Sequence, residues 1–199
     1  MTCYLGEREV GFDPTMLGFP SISNCQAIVF VTANGLYGLH AFGGNSPTSL
    51  AHYAARFNDF VRGPVPNRAG TRLYGVTFAR GNRYVAGGGN NWEADWTAEL
   101  TTYAQALNYG GKIRGYDLTR SIANPPDSAY VEFRKAGDKC EIHVKRWSDG
   151  DRKLGTNPSS LTHRRTHPNQ AQLLDITSNV VTDVTTTGLM RVHSQRLRG

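Results

Sequence analysis

Cys25 and His40 lie fifteen residues apart in the stretch SISNCQAIVFVTANGLYGLHAFGG, which runs from Ser21 to Gly44. A thiol is mostly protonated at neutral pH and is then a poor nucleophile; an adjacent imidazole converts it to a thiolate–imidazolium pair. The imidazolium can hand its proton to a departing amine, and backbone N–H groups at the nucleophile can hold the oxyanion formed on the way. The pair therefore fits amide cleavage. It equally fits a buried thiol beside a packed core histidine, because cysteine is among the most buried of residues. Cys25 follows a polar break, SISN, ahead of an apolar run, a position that can be partly exposed. Cys140 sits in an alternating segment and reads as packing, while Cys3 lies in an N-terminal segment expected to be mobile. No Cys-x-x-Cys pair or Cys/His cluster has zinc spacing, so neither a metal nor a cofactor is expected.

Two strands must carry the pair. CQAIVFVT is rich in β-branched and aromatic residues and predicts a mostly buried strand. ANG follows as an Asn-Gly turn signal, and LYGLHAF resumes strand character. With the turn centred on Asn34 and Gly35, facing positions sum to about 69, so Cys25 faces residue 44 and His40 faces residue 29. Strand twist or a bulge is then needed to bring thiol and ring together.

The other elements follow from periodicity. SPTSLAHYAARFNDFVRG predicts a helix with Leu50, Ala54, Phe57 and Val61 on its apolar face and Ser46 or Thr48 as its cap. LYGVTFA and KIRGYDLT predict strands, with a helix near 92–108 between them. AYVEFRKAGDKCEIHVKRW alternates on both arms and predicts a hairpin with Val131, Phe133, Cys140, Ile142 and Val144 facing the core. A polar stretch from Ser148 to Pro168 reads as a loop, and LLDITSNVVTDVTTTGLMRVHS as one or two further strands. GGGNN at 87–91 reads as a loop before a helix, because no phosphate-binding motif surrounds it.

The 199 residues carry a net charge of +6, and 39% are hydrophobic, enough to build a core. No apolar run is long enough to span a membrane, and MTCYLGEREVGFD lacks the pattern of a classical signal peptide. Three cysteines do not make a disulfide framework, so free thiols are expected. From Lys145 onward nine Lys and Arg stand against four Asp, concentrated in HRRTH and RVHSQRLRG. That excess allows a second reading, a basic nucleic-acid- or protein-binding module without catalysis. No nucleic-acid motif accompanies it, so nucleic acid is not the expected partner.

The order strand, SNC, apolar strand, turn, GLYGLH, helix resembles the chemoreceptor glutamine deamidases (the CheD family), which carry a small-polar-Cys motif at a strand start and a histidine on the next strand. The similarity in element order covers about residues 19–147. The spacing of fifteen also resembles that of the catalytic domain of cytotoxic necrotizing factors. This chain departs from the chemoreceptor pattern at Phe19, where that family has a threonine six residues before its cysteine, and at Ser23, where it has a glycine. Ser21 and Ser23 supply nearby hydroxyls that can take the place of the third member. The basic segment after Trp147 has no counterpart in the family.

The resemblance implies an α/β (α+β) fold with a mostly antiparallel β-sandwich core and helices packed outside. The expected organisation is one domain over 1–199, with a core at about 19–147 and a basic extension over 148–199 that carries additional strands. The implied activity is hydrolysis of a glutamine side-chain amide in a protein substrate. Cys25 is the nucleophile, His40 the acid–base, Ser23 and Ser21 the supporting hydroxyls, and the N–H groups of Cys25 and Asn24 the oxyanion donors. Transglutamination by the same machinery and cysteine proteolysis stay open. The expected setting is a monomeric bacterial effector or toxin acting in a host-cell cytosol, or alternatively a protein of the bacterial cytoplasm.

Overall fold

The computed structural model describes residues 3–42, 47–63, 69–80, 84, 91–119, 128–147, 183–184 and 190–196. They form eleven strands and two helices: β1 (Cys3–Tyr4), β2 (Val10–Asp13), β3 (Met16–Ile22), β4 (Gln26–Thr32), β5 (Gly35–Ala41), α1 (Pro47–Arg62), β6 (Gly70–Thr77), α2 (Trp92–Ala106), β7 (Lys112–Asp117), β8 (Ser128–Ala136), β9 (Lys139–Trp147), β10 (Asp183–Val184) and β11 (Met190–Arg196). One sheet has the order β1-β3-β8-β9-β10, the other β11-β7-β6-β4-β5-β2. All pairings are antiparallel except β1 with β3 and β6 with β7.

Three layers result, because each sheet has an apolar face to bury. Between the sheets lie Leu17, Phe19, Val131, Phe133, Ile142 and Val144 from one side, and Ala27, Val29, Val31, Leu36 and Val76 from the other. The opposite face of the six-stranded sheet offers Ile28, Phe30, Leu39, Leu73 and Ile113 to Ala54, Phe57 and Val61 of α1 and to Trp96, Leu100 and Tyr103 of α2. Strand β4 is buried along its whole length, since it has a layer on each face. Full burial of each large apolar side chain contributes about 1.5–3 kcal/mol.

The predicted helix faces and the late hairpin are present. Phe133 pairs with Ile142 and Val131 with Val144; Cys140 is half-buried against the inter-sheet core. Pro47 opens α1, where its missing N–H costs nothing. Thr48 lies inside that helix, and Ser46 and the stretch 148–168 fall outside the described residues.

Two expectations need correction. The N-terminal segment is part of the structure: Cys3 and Tyr4 pair with Leu17 and Gly18, and Val10–Asp13 pairs with Leu36–Leu39. The sheets thus draw strands from before residue 19 as well, while β10 and β11 fall in the stretch predicted to hold further strands. The β4–β5 turn is also Ala33-Asn34, with Thr32 facing Gly35 and Ala27 facing His40. Gly35 belongs to β5 and is needed there for space. A Cβ on it would come within 2.7 Å of the Asp13 carbonyl, at a φ of 152° that side chains rarely adopt. The glycine that looked like half of an Asn-Gly turn is a close approach between β5 and the end of β2.

Candidate functional site

That corrected register moves His40 two positions closer to Cys25. Cys25 directly precedes β4, and Gln26 faces Ala41 while Ala27 faces His40. Side chains alternate along a strand, so Cys25, Ala27, Val29 and Val31 point into the inter-sheet core and Ile28 and Phe30 point towards the helices. His40 points into the inter-sheet core as well, opposite Ala27 and against Phe19. Thiol and imidazole therefore share one face on adjoining strands, two positions apart in the register, the spacing across which an aromatic ring can extend. Both are enclosed, with Cys25 6% exposed and His40 1%, so the partial exposure expected of Cys25 after the polar break is not found: the thiol turns inward with Ala27 and Val29.

The ring of His40 is oriented from the N-terminal segment. Its Nδ1 lies 2.8 Å from the carbonyl oxygen of Leu5. A carbonyl only accepts, so Nδ1 carries the proton and, in the neutral ring, Nε2 is the basic nitrogen. The backbone is pinned on both sides: His40 N–H donates to the Glu9 carbonyl at 2.9 Å, and Arg8 N–H donates to the His40 carbonyl at 2.8 Å. Phe19 meets the imidazole edge-on with centroids 6.1 Å apart. Cys25 is fixed from the other side, its carbonyl accepting from the buried Thr77 hydroxyl at 2.8 Å.

Strain sits close by. Three non-glycine residues have positive φ among the described residues: Arg8 at 66°, Ser21 at 60° and Asn108 at 50°. Asn108 follows the end of α2, a common place for such a residue. The other two flank the pair, Arg8 in the connection that bonds His40 and Ser21 in the bulge of β3 ahead of Cys25. Residues held in this region cost about 1–3 kcal/mol each and gather at functional sites. At the rim, Phe42 continues β5 beside Cys25, the Arg8 guanidinium lies 4.6 Å above its ring, and Glu7 is 3.7 Å from Arg8.

Ser21 and Ser23 are partly buried and Asn24 is exposed, in the bend that crosses from one sheet to the other. The acceptor for His40 Nδ1 is the Leu5 carbonyl rather than either serine hydroxyl. The sequence reading missed Leu5, Glu9 and Thr77. Thr77 had a signal, an aliphatic hydroxyl in the otherwise apolar run LYGVTFA; a main-chain acceptor leaves none. Cys140 is placed differently, its thiol pushed up to about 12 by burial, with Lys135 opposing weakly. Among the described residues no group of three His, Cys, Asp or Glu could hold a metal ion, and no helix is long and apolar enough to cross a membrane. No protein-family model matches the chain, and no curated protein matches its sequence.

Proposed function

We propose that this chain is a cysteine-dependent protein-glutamine deamidase of CheD-like architecture. The observation that carries the reading is the shared face of Cys25 and His40 on adjoining strand ends, with Nδ1 tied to Leu5 so that Nε2 is the nitrogen left to act as base. Nε2 takes the thiol proton and the Cys25 sulfur attacks the glutamine carboxamide carbon. The resulting oxyanion is held by the N–H groups of Cys25 and Asn24. The imidazolium then protonates the nitrogen of the collapsing intermediate, ammonia leaves, and a thioester remains. Water, deprotonated by Nε2, attacks the thioester; glutamate is released and the proton returns to the sulfur. Ser21 and Ser23 are assigned to the substrate amide, since the Leu5 carbonyl already fills the orienting role.

An exposed glutamine on a partner protein is the proposed substrate, and an effector acting in a host cytosol is the proposed setting. The basic segment around Arg164 and Arg165 is assigned to partner choice. Ammonia release, with a mass increase of about one dalton in the partner and its loss in Cys25→Ser, is the expected result. A partner that gains the mass of an added amine less that of the ammonia it displaces reassigns the chain to transglutamination. Salt-sensitive nucleic-acid binding without ammonia release favours the basic binding module instead.

A further inference from the structure

The peptide group between Leu5 and Gly6 is hydrogen-bonded on both sides. Its carbonyl oxygen accepts from His40 Nδ1 at 2.8 Å. Its N–H donates to Oε2 of Glu9 at 2.6 Å. Glu9 is a buried carboxylate, 2% exposed, and its own N–H closes the turn onto the Gly6 carbonyl at 3.0 Å. One continuous chain thus runs from imidazole through a single peptide group to a buried carboxylate.

We infer that Glu9 is a positioning residue for His40, a carboxylate that acts on the imidazole through the Leu5–Gly6 peptide. The inference rests on the deamidase reading for its purpose, though not for its geometry. A hydrogen bond to an ionised acceptor is roughly twice as strong as a neutral one, and bonds in a chain polarise one another. The carboxylate pulls on the Gly6 N–H, electron density rises on the Leu5 oxygen, and that oxygen becomes a better acceptor for a charged ring. The effect is greatest when His40 takes the Cys25 proton, because only then does the ring carry positive charge. In a triad the carboxylate touches the imidazole directly; here one amide stands between them and passes on part of the field. It also holds the five-residue connection that supplies both main-chain bonds to His40.

Among the described residues, the titratable and charged groups on the elements around His40 are Cys25 from the start of β4, Glu9 from the β1–β2 connection, and the Glu7–Arg8 pair at the rim; β3 presents Phe19. Glu9→Gln keeps an oxygen for the Gly6 N–H and removes the charge. The assay is the rate at which a small alkylating agent modifies Cys25, followed by peptide mass spectrometry from about pH 5 to about pH 10. The variant is expected to react about fivefold more slowly near pH 6.5, where the ion pair supplies the thiolate, and at the wild-type rate near pH 10, where hydroxide supplies it. An unchanged profile, or an equal loss at every pH, overturns the inference. Should the variant not fold, the wild-type protein is followed by NMR: the Gly6 amide and the His40 ring must report a shared inflection with pH, and independent titrations overturn the assignment. Ammonia release is measured alongside. A shifted profile without any ammonia release removes the deamidase reading and leaves Glu9 in place; ammonia release with an unshifted profile does the reverse.

Discussion

Replacing Gly38 with alanine is expected to disturb the fold and the Cys25–His40 pair together. Gly38 lies on β5 two residues before His40 and on the same face. A Cβ built there stands 2.7 Å from Leu5 Cδ1, 2.8 Å from Leu17 Cδ1 and 2.8 Å from Phe19 Cζ. Carbon atoms in ordinary contact are about 3.5–4.0 Å apart, so each neighbour must retreat by about 1 Å. All three are fully buried in an interior packed as densely as an organic crystal. The strand cannot retreat either, because Gly38 is paired with Val29 on one side and Gly11 on the other. Overpacking of this kind costs about 1–3 kcal/mol. At a urea dependence of about 2 kcal/mol per molar, the unfolding midpoint should fall by about 0.5–1.5 M. Leu5 and Phe19 are also the residues that hold the His40 ring, so Cys25 alkylation near pH 6.5 should slow more than alkylation near pH 10. A midpoint within about 0.2 M of wild type refutes the packing argument. A lowered midpoint with an unchanged alkylation profile refutes the link from Gly38 to the histidine.

Further outcomes are expected. At about pH 7.5 a small alkylating agent should modify Cys25 in preference to Cys140, because the Cys140 thiol is held near 12 and stays protonated; peptide mapping that finds Cys140 labelled first contradicts this. Thr77→Val should lower stability by about 1–2 kcal/mol by leaving the buried Cys25 carbonyl without its donor, and any deamidation should fall further than stability alone accounts for. Asp117 is fully buried and its Oδ1 accepts from Ala79 N–H at 2.9 Å, Thr119 N–H at 3.2 Å and the Thr119 hydroxyl at 2.7 Å. Asp117→Ala should therefore cost about 3 kcal/mol in denaturant unfolding, and Asp117→Asn less. Burial raises the Glu7 carboxyl above its usual range, with Arg8 opposing. The fold thus favours the protonated acid, and the penalty appears as pH rises through the carboxylate range and persists at neutrality. Glu7→Gln should accordingly be slightly more stable than wild type at neutral pH and equal to it near pH 3, as read by thermal unfolding; the opposite ordering rejects the burial argument.

What the sequence disclosed depended on how much of each element's logic is local. The hairpin of β8 and β9 was readable because one buried face imposes a period of two, and α1 because its buried face imposes a period near four. The shared face of Cys25 and His40 was implicit in the same alternation, since parity survives a register error of two residues, but the sequence reading did not assign it to either residue. The register itself was not. Gly35 is required by the Asp13 carbonyl, a contact with a strand that the apolar pattern never announced. Strands β1 and β2 were missed because YLGEREVG is short, polar and glycine-bearing; only its ends are extended, through pairing with β3 and β5, around a turn at Glu7 and Arg8. The Leu5 carbonyl was out of reach for a deeper reason: every residue has that atom, so residue type carries no information about it.

Each sheet ends on a strand from the far end of the chain. Met190 lies against Asp117 at one edge, and Asp183 against Lys145 at the edge of the other sheet. Such contacts close large loops, and loop closure is the slow part of assembling a sheet. During synthesis the hydrogen-bonding edges of β7 and β9 must therefore wait for partners made much later. An unpaired edge is a template for any extended chain nearby. The candidate site, whose residues come almost wholly from the early part of the chain, can be assembled while those edges are still open. The period of greatest aggregation risk then falls after the candidate site has formed.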